Sequence, residues 1–265
     1  MSRVRALLLA AGLGTRLRPL TDHCPKCLIP VLGRPLLEYW LCALYKCGIR
    51  EVLINLHHHR DLVEEFIERN CFSGWVQGVV EDELLGTAGT LRENGEKLSS
   101  STTFLAHADN WCQCDLVDFL DFHNHRRPAD TLISMMTFRT STPTTCGIVE
   151  INDYGVVDRL YEKVVDPPGN LANGAVYLLE PEVLQWVEER SDIHDFSLQV
   201  LPQFLGRIAT WENVGIHRDI GVPQSLFDAQ RDPQPELCWP EVDEWTRKYQ
   251  NNSVHEKLIS AMAAA

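Results

Sequence analysis

The run Leu9-Ala10-Ala11-Gly12-Leu13-Gly14-Thr15-Arg16 places two glycines and an arginine directly behind a short apolar stretch. A turn of this composition can present successive backbone N–H groups to an anion, and such a cradle suits phosphate oxygens. Gly12 and Gly14 allow backbone conformations and close approaches that a Cβ would obstruct. Arg16 adds a planar cationic fork for a polyphosphate. Further on, Lys26 lies between Pro25 and the apolar run 27–31, an unusual setting for a solvated lysine.

Two familiar phosphate loops do not fit. A Walker A loop needs Gly-Lys-Ser/Thr after its second glycine, whereas Gly14 is followed by Thr15-Arg16. The dinucleotide fingerprint needs a third glycine where Leu17 stands. Cys24-Pro25-Lys26-Cys27 has C-x-x-C spacing, but no second cysteine pair or histidine cluster follows at zinc-site spacing. His57-His58-His59 are adjacent on an extended segment, so neighbouring rings point to opposite faces and make a poor metal set. Trp111 reads either as a stacking platform for a sugar or base or as a core tryptophan. No Ser/His/Asp or Cys/His nucleophile motif is recognisable.

The elements that must position these residues follow an α/β rhythm. Residues 4–10 read as a strand buried on both faces and 52–56, 76–80 and 103–106 as further strands; 35–47, 61–69, 88–98 and 116–125 read as helices. Nearly continuous apolar strands alternating with helices predict a mostly parallel, three-layer sheet. After Asp130 the rhythm changes. Residues 147–151 and 156–161 flank Asn152-Asp153-Tyr154-Gly155 and predict a hairpin. Strands at 131–139 and 175–179, helices at 181–189, 197–205 and 223–230, and two short strands at 208–211 and 213–217 about a turn complete the reading. Pro233, Pro235 and Pro240 mark a linker to a polar helix over 241–265. Residues 1–230 are thus expected to form one catalytic domain and 231–265 a linker and helical tail.

At this point the sequence resembles the sugar-1-phosphate nucleotidyltransferases. The opening loop, Pro25-Lys26-Cys27-Leu28 and Gly33-Arg34-Pro35-Leu36 carry the family's opening signature. Leu85-Gly86-Thr87-Ala88-Gly89 is similar to its nucleoside loop, Asp109-Asn110 to its Gly-Asp metal motif and Glu162-Lys163 to its Glu-Lys-Pro segment. Asn173-Gly174-Ala175-Val176-Tyr177 is similar to its sugar-contact strand, and Asp219-Ile220-Gly221-Val222-Pro223 to its closing motif. The order of these motifs is more specific than any one of them. Ala108, Cys27, Val164 and Val222 depart from the family pattern without removing a ligand.

The resemblance implies a Rossmann-like nucleotidyltransferase fold with a hairpin-containing sugar-binding half. It implies that a sugar 1-phosphate oxygen attacks the α-phosphorus of an NTP and that pyrophosphate leaves. The nucleophile is already anionic, so no general base is needed, and catalysis rests on positioning and cations. The resemblance assigns Arg16, Lys26, Asp109 and Asp219 as catalytic, with Asp109 and Asp219 as Mg²⁺ ligands. It assigns Leu9, Ala10, Ala11, Gly12, Gly14, Thr15, Arg16, Glu81, Gly86, Thr87 and Ala88 to the nucleotide. Asn110, Glu162, Lys163, Asn173 and Gly147 are assigned to the sugar phosphate. A carboxylate at Glu81 can accept from the two adjacent donors of guanine, which favours GTP. The form of the nucleoside loop is most similar to mannose- and manno-heptose-1-phosphate guanylyltransferases. The competing readings are a uridylyl- or thymidylyltransferase acting on a glucose-type or N-acetylated sugar 1-phosphate, and a non-catalytic nucleotide-sugar-binding regulatory homologue.

Composition sets the partners. The net charge of −13, with no Lys/Arg cluster, excludes nucleic acid and anionic membrane surfaces as favoured partners. The nine scattered cysteines and the absence of a signal-like or membrane-spanning run point to a reducing cytoplasm. The tail with Trp239 and Trp245 is expected either to pack on the domain or to mediate a homodimer.

Overall fold

The computed structural model describes residues 3–239 and 242–264 of the chain. In chain order its elements begin with β1 (Val4–Leu9), β2 (Pro30–Val31), β3 (Arg34–Pro35), α1 (Leu36–Lys46), β4 (Val52–Leu56), α2 (Arg60–Ile67) and β5 (Val76–Val80). Next come α3 (Gly86–Glu93), α4 (Gly95–Leu98), β6 (Thr102–His107), β7 (Asn110–Gln113), α5 (Leu116–Asp121), β8 (Ile133–Arg139), β9 (Gly147–Ile151), β10 (Val157–Glu162) and β11 (Leu171–Leu179). The chain closes with α6 (Pro181–Glu188), β12 (Ile208–Glu212), β13 (Ile216–Asp219), α7 (Pro223–Ala229), α8 (Glu244–Gln250) and α9 (Ser253–Ala264). The class is α/β, as the strand–helix alternation implies.

The elements fall into two compact units. One gathers the described residues up to Leu7, Leu85–Ala106 and Cys114–Gly215; the other gathers Leu8–Leu84, His107–Gln113 and the described residues from Ile216 onward.

In the first unit β11 is the hub. It pairs antiparallel with β6 and β8 and meets β9 at Ala172–Ile148. β9 and β10 form the expected hairpin, whose turn is tied by Asn152 Oδ1 accepting from the amides of Tyr154 and Val156. β12 adds parallel to β8. The helix expected over 116–125 ends as α5 at Asp121 and continues as a wider π turn through Arg126. Residues 197–205 likewise form a π turn over Phe196–Val200 and a 3₁₀ turn over Leu201–Phe204, because Pro202 cannot donate into a continuous α ladder.

In the second unit β4 pairs parallel with β5, and all five β4 residues are buried, so both faces of that strand are covered. α1 buries Leu36, Leu37, Trp40, Leu41 and Leu44, the apolar stripe visible in the sequence. β7 and β13 make a separate antiparallel ribbon in which Asp219 faces Asn110 and Arg218 faces Trp111. The two short strands expected about a turn at 208–217 are therefore not a hairpin. β12 takes β8 as its partner and β13 takes β7, and β13 begins only at Ile216.

The expected tail helix divides into α8 and α9; its first residue, Glu241, and its last, Ala265, lie outside the described residues, as does the linker proline Pro240. Trp239 packs against Tyr45, Phe72 and Trp75, and Trp245 against Phe66 and Tyr249. The Tyr249 hydroxyl donates to the Leu28 carbonyl at 2.5 Å. Asp243 pairs with Arg69, which also meets the fully buried Glu38. Both tail tryptophans thus have partners within their own chain.

Candidate active site

The phosphate-loop motif lies wholly in the second unit, as do the four residues expected to act on phosphates. β1 delivers the chain into the loop, and Gly14 stands at φ 61°. A Cβ there would lie 2.8 Å from Thr21 Cγ2 and 3.3 Å from Lys26 Cβ, so the turn needs glycine for both its conformation and its packing. The buried Thr21 donates its hydroxyl to the Gly14 carbonyl at 2.8 Å and locks the loop to the segment that carries Lys26.

The loop amides divide into two sets. Ala10 N and Ala11 N are buried and donate to Asn55 Oδ1 at 2.6 and 3.3 Å. Those of Gly12 and Leu13, on the exposed crest, donate to no acceptor among the described residues. Among the described residues, the loop amides without a protein acceptor therefore start at Gly12.

Lys26 is only 5% exposed, and its ammonium lies 3.0 Å from Asp109 Oδ2 and 3.0 Å from Asp219 Oδ1. Arg16 Nη2 reaches Asp219 Oδ2 at 3.2 Å. Arg16 comes from the 3₁₀ turn Thr15–Leu17, and three further elements complete the cluster. Lys26 sits on the 3₁₀ turn Lys26–Leu28, Asp109 in the turn between β6 and β7, and Asp219 at the end of β13. Asp219, 53% exposed, also accepts from the Gly221 amide at 2.8 Å. Burial raises the Asp219 carboxyl, but the charges and hydrogen bonds of Lys26 and Arg16 outweigh it and hold the group below the usual carboxylate range.

Asp109 and Asp219 thus converge on one cationic point. Among the described residues no three His, Cys, Asp or Glu side chains gather into an all-protein metal cage. Mg²⁺ does not require one: it is commonly held by one or two carboxylates together with phosphate oxygens and water. The donor set fits that ion.

A second charge cluster, not apparent from sequence, holds the ribbon that carries Asp219 and that follows directly on Asp109. Asp232 accepts from Arg218 Nε and Nη2 at 2.9 Å each and from Trp111 Nε1 at 2.9 Å. Arg218 and Trp111 are cross-strand partners, so one carboxylate clamps both strands of the ribbon. Trp111 is fully buried against Tyr39, so it is a core tryptophan and offers no face to a sugar. Asn110, the register partner of Asp219, accepts at its carbonyl from Trp40 Nε1 at 2.9 Å.

Glu81, expected at the base, is buried just beyond β5. Its Oε1 accepts from Asn55 Nδ2 at 3.1 Å, and its carbonyl meets His57 Nδ1 at 2.9 Å. The C-x-x-C thiols are also buried, and burial pushes Cys24 up to about 12 and Cys27 higher still.

The first unit holds the remaining expected residues. Gly86, at φ 76°, packs so tightly that a Cβ would strike the His194 carbonyl oxygen. Ala88 N donates to that oxygen at 2.9 Å, and Thr87 Oγ1 accepts from Phe196 N at 2.7 Å. The nucleoside-loop motif is therefore anchored to the segment 194–196. Gly147 is the register partner of Glu162 across the hairpin, and Lys163 leaves the strand at φ 50° with its ammonium 3.5 Å from Glu162 Oε1. Asn173 spans an irregularity in the β11–β8 ladder. Its Oδ1 accepts from Ala175 N at 2.9 Å and its Nδ2 donates to the Tyr177 hydroxyl at 2.7 Å. Burial raises the Tyr177 phenol well above its ordinary value, with hydrogen bonds to Asn173 and Ser197 opposing it.

The profile of the nucleotidyl transferase family matches residues 5–235. The chain belongs to that family. A mannose-1-phosphate guanylyltransferase of Mycobacterium tuberculosis is 28% identical over 235 residues, covering 87% of this chain and 64% of that protein. A mannose-1-phosphate guanyltransferase of Kluyveromyces lactis is 29% identical over 231 residues, 84% of this chain and 63% of the relative. The chain thus spans under two thirds of the length of these nucleotidyl transferases. The solved structure of HddC from Yersinia pseudotuberculosis shares the fold, with a TM-score of 0.72 at 23% identity over 86% of this chain and 98% of that one. Among the described residues no helix is long and apolar enough to cross a membrane.

Proposed function

We propose that this nucleotidyl transferase moves a nucleoside monophosphate from an NTP, GTP by preference, to the phosphate of a manno-configured sugar 1-phosphate. The products are pyrophosphate and an NDP-sugar for glycoconjugate synthesis. The observation that carries the reading is the convergence of Lys26, Arg16, Asp109 and Asp219 beside the glycine loop. The preference for GTP and mannose is supported by the named activities of the guanylyltransferase relatives.

In the reaction an oxygen of the sugar phosphate forms a bond to the α-phosphorus, and the bond from that phosphorus to the bridging oxygen of pyrophosphate breaks. No proton need move. The difficulty is bringing two polyanions together, so fixed positive charge and free amides are what the protein must supply. The amides of Gly12 and Leu13 and the guanidinium of Arg16 bind the triphosphate. Lys26 needs no reorientation, because two carboxylates already fix its ammonium. Asp109 and Asp219 would hold Mg²⁺, which when bound supplies Lewis-acid stabilisation of phosphate charge. In the first unit Lys163 neutralises the sugar phosphate, and Glu162 with Asn173 orients the sugar. Gly147 leaves room beside Glu162, and Gly86, Thr87 and Ala88 border the nucleoside. Residues up to 230 carry the reaction, and the tail from 231 braces the second unit through Asp232, Trp239 and Trp245.

The test is a matrix of the four common NTPs against a panel of sugar 1-phosphates, read by pyrophosphatase-coupled phosphate release. The strongest signal is expected for GTP with mannose 1-phosphate. A uridine or thymidine preference would overturn the base assignment, and silence across the matrix would overturn the reaction.

A further inference from the structure

Asn55 is buried at the end of β4 and no motif of the loop includes it. Its amide makes two different bonds at once. The oxygen accepts from Ala10 N and Ala11 N, and the nitrogen donates to Glu81 Oε1 at 3.1 Å. A carboxamide can do this because it carries an acceptor and a donor at equal reach; an aspartate could accept but not donate, and a leucine could do neither. The peptide planes of residues 10 and 11 lead directly into Gly12 and Leu13, whose amides have no acceptor among the described residues. Fixing the first pair fixes the direction of the second.

We infer that Asn55 is a positioning residue that sets the anion-binding amides of the glycine loop against the Glu81 carboxylate, so the loop's affinity for polyphosphate depends on the Asn55–Glu81 hydrogen bond. This rests on the reading of the loop as the NTP phosphate site.

The probe is inorganic tripolyphosphate, which carries no base, with binding followed by calorimetry on the full chain. N55D keeps the acceptor for Ala10 and Ala11 but sets a second carboxylate against Glu81, and it should weaken tripolyphosphate ~10-fold or more, the usual scale for losing a hydrogen bond to a charged group. The double variant N55D/E81Q reverses the bond, with the introduced carboxamide donating to the introduced carboxylate, and should recover wild-type affinity to within about threefold. N55D/E81A restores the net charge without a donor and should not recover. Tripolyphosphate affinity in N55D equal to wild type, or a glutamine double variant no better than the alanine one in folding and in binding, would overturn the inference. Failure of the wild-type chain to bind tripolyphosphate would instead strike the phosphate-site reading beneath it.

Discussion

The Asp232 clamp gives a prediction whose size follows from the structure. Asp232 is 10% exposed and Arg218 36%. The carboxylate accepts two bonds from the guanidinium and one from the Trp111 indole, all at 2.9 Å. D232N keeps the shape but loses the charge and at least one of the acceptor positions. Breaking a fully buried pair costs about 3–5 kcal/mol; solvent screening at half-exposed Arg218 reduces this to about 2 kcal/mol. For a chain of this size that is a fall in Tm of roughly 4–8 °C. The pH dependence has a definite sign. The Arg218 hydrogen bonds, aided by Trp111 and opposed by burial, hold the Asp232 carboxyl below its ordinary value of 3.8. A carboxyl that titrates lower in the folded state than in the unfolded one stabilises fully above about pH 4 and less as pH falls through the folded value. The gap between wild type and D232N should therefore be widest near neutrality and close as pH drops below about 4. Urea melts of both proteins from pH 7 to pH 3 measure it. A gap under about 0.5 kcal/mol at pH 7, or one that stays constant to pH 3, would refute the reasoning.

Asp109→Asn and Asp219→Asn should each abolish nucleotidyl transfer while leaving far-UV circular dichroism unchanged, and retained turnover in either would remove that residue from the cation site. Gly14→Ala must place a Cβ at φ 61° against Thr21 and Lys26. It should cost about 2–4 kcal/mol in chemical denaturation and displace Lys26, so that activity falls further than stability alone explains. Cys24 and Cys27 should resist alkylation by iodoacetamide in the native protein at pH 8, since both thiols are buried and held protonated. Mass mapping of the modified peptides reads this directly.

The sequence was most legible where one residue type had one physical use. The apolar strands, the Asn152–Gly155 turn and the stripe of α1 all depend on local pattern and appear where that pattern puts them. The juxtaposition of Lys26, Asp109 and Asp219 was legible only as three separate motifs, because no local rule brings residues so far apart in the chain to one point. Asn55, Thr21 and Asp232 left no signal. Asparagine, threonine and aspartate are ordinary at strand ends and turns, and their roles arise from partners distant in sequence. Trp111 was ambiguous for a related reason: an indole can serve as a platform or as core, and its burial against Tyr39 decides. The pairing of the two short strands at 208–217 was illegible for the same reason, since each finds its partner on a remote strand and not on its neighbour.

The most direct test of the central claim follows the oxygens of the acceptor phosphate. The purified chain is supplied with GTP and with mannose 1-phosphate whose phosphate oxygens carry a heavy-oxygen label, and the products are resolved by mass spectrometry. Attack by the sugar phosphate on the α-phosphorus predicts a GDP-sugar that retains the label and a pyrophosphate that carries none. Labelled pyrophosphate, or no labelled nucleotide sugar from a folded protein, would contradict it.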